Sequence, residues 1–398
     1  MCLRFLLYHY NNNNFSRYRN LRTTHALHYL SLSSAPAFAK MLTFRKALLL
    51  AAFAITCILL FKTSHSSNGA SSRSTSNSKT DSLLFDTDGS RKAGRYSGSK
   101  RSQKILSDSS RTLIEKLQIQ FPYDPEGKFP AYIWQTWKAG PGEGDFDERL
   151  RPLEASWSTL HPTFVHEVIT DKTARHLIRY LYASLPEILE AYDSMPMPVL
   201  KADFFRYLVL LARGGIYSDI DTTALKPAYD WLPKDTPPSS VGLIVGIEAD
   251  PDRPDWADWY SRRIQFCQWT LQAKVGHPAL RKVVAGITHE TLRMKKAGVL
   301  AKGKMDQSIV EFTGPARWTD AVFSYLNDPD YFKVGAKNIT WEAFSNIKKP
   351  RRVGDVVVLP ITSFSPGVGQ MNAGEVDDPM AFVQHDFEGT YSIGNIEP

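Results

Sequence analysis

The stretch "VLKADFFRYLVLLARGGIYSDID", residues 199–221, decides the fold. Leu200, Phe204, Leu208 and Leu211 recur on one stripe, so the first half reads as an amphipathic helix. Gly214 and Gly215 end it, as C-cap glycines do. A strand follows, in which alternation puts Asp219 and Asp221 on one side and turns Ile220 into the core. Outward from this unit the alternation continues. "AYIWQ" (131–135) reads as a buried strand, "DERLRPLEASWSTL" (147–160) as a helix and "TFVHEVIT" (163–170) as a strand. "DKTARHLIRYLYASL" (171–185) reads as a helix with Leu177, Tyr180 and Leu181 on its inner face. "VGLIVGIEA" (241–249) and "RVGDVVVLP" (352–360) are apolar and β-rich. Strands separated by helices predict an α/β domain with a mostly parallel central sheet.

Composition bounds the rest of the chain. The net charge of +7 over 398 residues is concentrated at one end: residues 1–80 hold ten Lys/Arg and no Asp or Glu. The remaining 318 residues hold 38 basic and 41 acidic side chains, which excludes a nucleic-acid binder with a basic folded domain. The run "ALLLAAFAITCILLF", Ala47–Phe61, follows seven Lys/Arg and predicts a single transmembrane signal anchor with the C-terminus translocated. A cleaved signal peptide and a mitochondrial presequence are the rival readings. The predicted organisation is a cytoplasmic tail over 1–46, the anchor over 47–61, a Ser-rich stem over 62–103 and a folded domain over 104–398. Met41 is an alternative start, which would make 1–40 an extension of the gene model. Cys267 stands alone after the anchor, so no internal disulfide forms there, and Asn338-Ile339-Thr340 is a glycosylation sequon.

Two carboxylates on one side of a strand repel unless a cation or donors compensate. A hard divalent ion takes oxygen ligands and needs one or two protein carboxylates when diphosphate oxygens supply the rest. A lone D-x-D is more often a solvated turn, but the preceding helix adds Asp203 and Arg206, three apart and on one face. Taken alone, that pair is a surface ion pair worth at most ~1 kcal/mol. Next to the aspartates it delivers a guanidinium and a carboxylate to the same pocket, for phosphate and sugar hydroxyls.

These residues carry a resemblance. "LKADFFRYLVLLARGGIYSDIDT" resembles the signature of DXD-containing glycosyltransferases, and glycosyltransferase family 32, the fungal Golgi α-1,6-mannosyltransferases, is the close match. "YIWQTWK" (132–138), "QWTLQAKVGHPAL" (268–280), "EFTGPARWTDAV" (311–322) and "VQHDFEGTY" (383–391) resemble the same family in the same order. The spacing of Asp203, Arg206, Tyr217, Asp219 and Asp221 is also similar to that of the clostridial glucosylating toxins.

The resemblance implies a GT-A, Rossmann-like catalytic domain facing the Golgi lumen behind its anchor. The implied reaction is retaining transfer of mannose from GDP-mannose to an oligomannose N-glycan in α-1,6 linkage, assisted by Mn²⁺ or Mg²⁺. Catalysis falls to Asp203, Arg206, Asp219 and Asp221. The donor-binding set is Gln135, Thr136, Trp137, Asp203, Arg206, Tyr217 and Asp219, and the metal set is Asp219, Asp221 and His385. Asp386 stands where relatives carry a second His, and Thr313 and Asp320 are weak acceptor-side candidates. Trp134 is read as core and His277 as a helix-entry residue. The alternatives are mannosyl transfer to inositol phosphoceramide and a noncatalytic glycan-binding subunit of a mannosyltransferase complex. No G-x-G-x-x-G or Walker loop supports a generic nucleotide-binding domain.

Overall fold

A computed structural model describes residues 110–305, 307–332 and 338–387. The predicted tail, anchor and stem lie outside the described residues. Among the described residues no helix is long and apolar enough to cross a membrane.

The domain opens with α1 (Leu113–Gln120), started by a reciprocal Thr112–Glu115 capping box. A parallel unit follows: β1 (Tyr132–Trp137), α2 (Arg151–Leu160) and β2 (Val165–Thr170). Three helices come next, α3 (Asp171–Leu181), α4 (Pro186–Ser194) and α5 (Pro198–Arg213), leading into β3 (Gly215–Ser218) and β4 (Thr222–Ala224). The second half contains β5 (Leu243–Ala249), β6 (Gln265–Ala273), α6 (Pro278–Ala297), α7 (Ile309–Phe312) and α8 (Pro315–Leu326). It ends with β7 (Arg351–Val353), β8 (Val356–Leu359), α9 (Ile361–Phe364) and β9 (Val383–His385).

Seven strands form one sheet in the order β2-β1-β3-β6-β5-β8-β7. Five of them (β1, β2, β3, β5 and β8) run the same way, as the sequence predicts, while β6 and β7 run against them. The "RVGDVVVLP" segment is therefore two short strands around a Gly354-Asp355 turn. β4 and β9 pair separately as a two-stranded antiparallel ribbon.

One core packs α3 to α6 and α8 on the first face of the sheet, and a smaller one around Trp157, Trp231 and Phe364 fills the other. α5 is enclosed almost all round: Leu200 and every residue from Asp203 to Leu211 are buried. That overturns the amphipathic reading of the helix, and Asp203 and Arg206 are buried with the rest rather than forming the surface ion pair they suggest when taken alone. α3 also turns differently from the expectation, burying Ala174 and Ile178 with Tyr180 in solvent.

The glycines after α5 are a steric necessity. Gly215 has φ +95, and a Cβ there would stand 2.5 Å from the Tyr132 carbonyl oxygen. The close approach lets β3 lie beside β1 immediately after the helix ends.

Candidate active site

The site forms at the carboxyl ends of β1, β3 and β5, where open α/β sheets place their ligands. The two aspartates sit one step later than alternation predicts. β3 ends at Ser218, so Asp219 and Asp221 belong to the tight turn joining β3 to β4 rather than to a strand. The turn is fixed from several directions. The Asp219 carbonyl accepts from the Thr222 hydroxyl at 2.6 Å and from Gln135 Nε2 at 3.1 Å, and Trp157 Nε1 donates to the Thr222 carbonyl at 3.1 Å. Ile220 is buried beneath it against Phe146 and Leu150.

The orientation of Gln135 is itself set. Burial pushes the His166 imidazole down to about 4, so it is neutral at physiological pH. Its Nε2 lies 2.8 Å from Gln135 Oε1, which can only accept, and its Nδ1 lies 2.8 Å from the Ser158 hydroxyl. The Asp219 carbonyl can only accept, so the Gln135 amide turns its NH₂ toward the aspartate turn, and the Oε1 left facing His166 puts the single imidazole N–H on Nε2. Gln135 is fully buried with both ends of its amide engaged, so its side chain shapes the turn instead of reaching outward for a nucleotide.

Asp219, Asp221 and His385 bring their ligand atoms within 4.8 Å of one another. His385 arrives on β9, whose pairing with β4 sets Thr222 opposite His385, and Asp386 N–H closes the ribbon on the Asp221 carbonyl at 2.9 Å. Its Nε2 is 3.2 Å from Asp221 Oδ1, and its ring stacks on Trp269 at 4.9 Å between centroids. Burial alone would lower the His385 pKa, but the Asp221 and Asp219 charges outweigh it and leave it raised. Two carboxylates and an imidazole, held together by electrostatic attraction, make a donor set that fits a hard or borderline divalent cation. Asp386 contributes its backbone to this arrangement and is not one of the three clustered donors.

Behind the aspartates lies the buried pair from α5. Arg206 Nη2 reaches Asp203 Oδ1 at 3.1 Å and Asp219 Oδ1 at 3.2 Å. Asp203 is 3% exposed and Arg206 5%. Asp203 also accepts from the Thr313 hydroxyl at 2.8 Å and from Gln268 Nε2 at 3.2 Å. Burial raises its pKa against the opposing pull of Arg206 and Thr313. The guanidinium lies over the Tyr217 ring at 5.0 Å, and the Tyr217 hydroxyl bonds Asp219 Oδ1 at 2.9 Å and Thr136 Oγ1 at 3.1 Å. Tyr217 is thus a buried brace for Asp219. Trp137 remains half-buried at the rim, its indole Nε1 without a hydrogen-bond partner among the described residues.

The structure therefore joins Asp203, Arg206, Tyr217, Asp219, Asp221, Gln135, Thr136 and His385 into one network. Trp134 is core, its indole donating to the Gly214 carbonyl, and His277 caps α6, as expected. Thr313 belongs to the network, whereas Asp320 is a half-exposed partner of Arg262. Gln268 and Trp269 were missed as site residues. Between the Val245–Leu271 and Ile247–Phe266 pairings, β5 advances two residues while β6 advances five. This bulge carries Gln268 to Asp203 and Trp269 to His385. No residue spacing announces such a bulge.

Comparisons with known proteins agree with this arrangement. Residues 147–237 match the glycosyltransferase sugar-binding region containing the DXD motif. The chain is 49% identical over 300 residues to the initiation-specific alpha-1,6-mannosyltransferase of Candida albicans, spanning 72% of this chain and 78% of the relative. The protein of the same name from Schizosaccharomyces pombe is 46% identical over 281 residues, 70% of this chain and 68% of the relative. Inositol phosphoceramide mannosyltransferase 3 of Schizosaccharomyces pombe is 36% identical over 124 residues, 30% of this chain and 33% of the relative. With identity of this level across most of both chains, and the DXD turn built as above, the chain belongs to the family of DXD-containing glycosyltransferases that includes the initiation-specific alpha-1,6-mannosyltransferases.

Proposed function

We propose that the chain is a metal-dependent, retaining mannosyltransferase that moves mannose from GDP-mannose to an oligomannose N-glycan in α-1,6 linkage. The observation that carries this reading is the Asp219–Asp221–His385 group beside a buried guanidinium at the carboxyl edge of the sheet. The long matches to relatives named for this reaction support it, and the match to the inositol phosphoceramide enzyme covers less than a third of the chain. A GT-A fold, a Golgi location and a type II anchor over residues 47–61 belong to the same reading.

Asp221 and His385 would hold Mn²⁺ or Mg²⁺ directly, with Asp219 as ligand or through water. The ion, when bound, supplies Lewis-acid charge to the diphosphate leaving group. The chain's own residues do the rest. Both polar contacts to Asp219 fall on Oδ1, leaving Oδ2 for the cation or a ribose hydroxyl. Arg206 spends Nη2 on the two aspartates, and its guanidinium charge, held beside Asp219, offsets negative charge growing on the departing phosphate. Asp203 holds Arg206 in place beside Asp219 and is itself held by Thr313 and Gln268. Trp137 at the rim offers an indole face to the base.

The test is incubation of the full-length chain with Mn²⁺, a panel of nucleotide sugars and oligomannose or inositol phosphoceramide acceptors. Transfer from GDP-mannose to oligomannose, abolished by chelator and by Asp221→Ala, is the expected result. Transfer to the lipid acceptor alone, or transfer that survives Asp221→Ala, overturns the reading.

A further inference from the structure

The mechanism above gives no role to Glu248, a charged side chain at the carboxyl edge of the sheet. Glu248 is the penultimate residue of β5. Sheet order places it two strands from the aspartate turn, with β6 between, a lateral separation of roughly 10 Å. Its neighbours along the edge are Gln265, paired beside the end of β5, and Cys267 at the start of the β6 bulge. Gln265 lies close enough to favour the ionised form, while Oε2 is buried and has no partner among the described residues. Among the described residues no cation pairs with it directly. Arg206 from α5 and His385 from β9 act on it as more distant charges, and the Tyr207 hydroxyl and the Cys267 thiol also lie within its field. Burial pushes its pKa up to about 7, against the opposing effects of Gln265, His385 and Arg206.

An unsatisfied carboxylate oxygen in such a place is costly, and a glutamine of the same shape would avoid the cost. The chemistry of the edge restricts what could complete it. The cation group is formed by Asp219, Asp221 and His385 and does not include Glu248. A diphosphate beside a carboxylate would be repelled. An uncharged hydrogen-bond donor lying beyond the diphosphate suits the group best, and in a glycosyl-transfer site a sugar hydroxyl is such a donor.

We propose that Glu248, partly exposed at the sheet edge, is a carbohydrate-contacting residue of this site whose carboxyl group accepts a hydrogen bond from a hexose hydroxyl. The inference rests on the glycosyl-transfer reading above. The hydroxyl belongs either to the hexose being transferred or to the acceptor hexose, and the two sources are separable by experiment.

Full-length wild type, Glu248→Ala and Glu248→Gln are compared for transfer from GDP-mannose to oligomannose, for hydrolysis of GDP-mannose without acceptor, for calorimetric affinity for GDP with Mn²⁺, and for melting temperature. The expected result is a loss of at least tenfold in kcat/KM for Glu248→Ala. A smaller loss is expected for Glu248→Gln, whose amide oxygen still accepts. GDP affinity stays unchanged, and the melting temperature is unchanged or higher. If hydrolysis falls in parallel, the hydroxyl is the donor's; if hydrolysis persists while the acceptor KM rises, it is the acceptor's. Unaltered transfer in both variants overturns the proposal, as does a joint fall of activity, GDP affinity and melting temperature, which would mark Glu248 as structural. A wild-type chain that transfers no hexose removes the parent reading instead.

Discussion

Replacing Arg206 with methionine removes the charge that two acidic groups share while keeping most of the apolar stem. The side chains of Arg206 and Asp203 are 6% and 4% exposed, and Asp219 is 26% exposed. Breaking a buried pair by deleting one partner typically costs about 3–5 kcal/mol. Asp219 is partly solvated and Asp203 keeps Thr313 and Gln268, so about 3 kcal/mol is expected in the metal-free protein. The pH dependence has a definite sign. The Asp203 pKa is already raised by burial and rises further without Arg206. A raised carboxyl gives stability that is present below its unfolded pKa and lost as pH climbs through the folded one. The deficit of Arg206→Met should therefore be small near pH 4 and complete by pH 8. Urea unfolding followed by tryptophan fluorescence, with chelator, at several pH values measures it. The double variant Asp203→Asn/Arg206→Met should recover at least about 1 kcal/mol, because one stranded charge is gone. A deficit under about 1 kcal/mol at pH 8, or one independent of pH, would refute the reasoning and return the pair to surface decoration.

Other outcomes follow from the same geometry. Asp221→Asn should abolish calorimetric Mn²⁺ binding and lower transfer by at least about a hundredfold, the scale of losing a principal electrostatic stabiliser. Mn²⁺ affinity should weaken as pH falls, because the raised pKa of His385 lets a proton compete for the imidazole, by roughly tenfold per pH unit on the acid side; flat affinity between pH 6 and 8 would remove His385 from the ligand set. Gly215→Ala must place a methyl against the Tyr132 carbonyl at positive φ, and should cost about 2–4 kcal/mol in urea unfolding. His166→Phe should free the Gln135 amide and reduce transfer with little change in melting temperature, whereas a large melting loss would assign His166 to packing instead.

Much of this site could be read in the sequence because it is local. Asp203, Arg206, Tyr217, Asp219 and Asp221 lie within 19 residues of chain, and a helix, a glycine stop and a short strand suffice to bring them together. Burial was misjudged for a physical reason: the apolar stripe of α5 shows where one neighbour packs, but not that other elements cover the remaining faces. The aspartates were assigned to a strand because alternation continues through Asp221, while the break at Ser218 depends on distant donors such as Gln135 and Trp157. Glu248 is a single polar residue in an apolar strand, and Gln268 is one of three glutamines along β6 with nothing local to distinguish it. What singles them out is the β6 bulge and the sheet order, both of which are long-range properties.

The β4–β9 ribbon has a consequence for how the protein comes into being. Asp221 and His385 are separated by 164 residues, an interval a ribosome covers in roughly 10–30 s. Throughout that time the acidic turn has no imidazole to balance it, and β4 shows an unclaimed edge. Under the proposed ligand set, catalytic competence is deferred to one of the last folding events: a nascent chain interrupted before β9 would carry the signature motif and yet lack its imidazole.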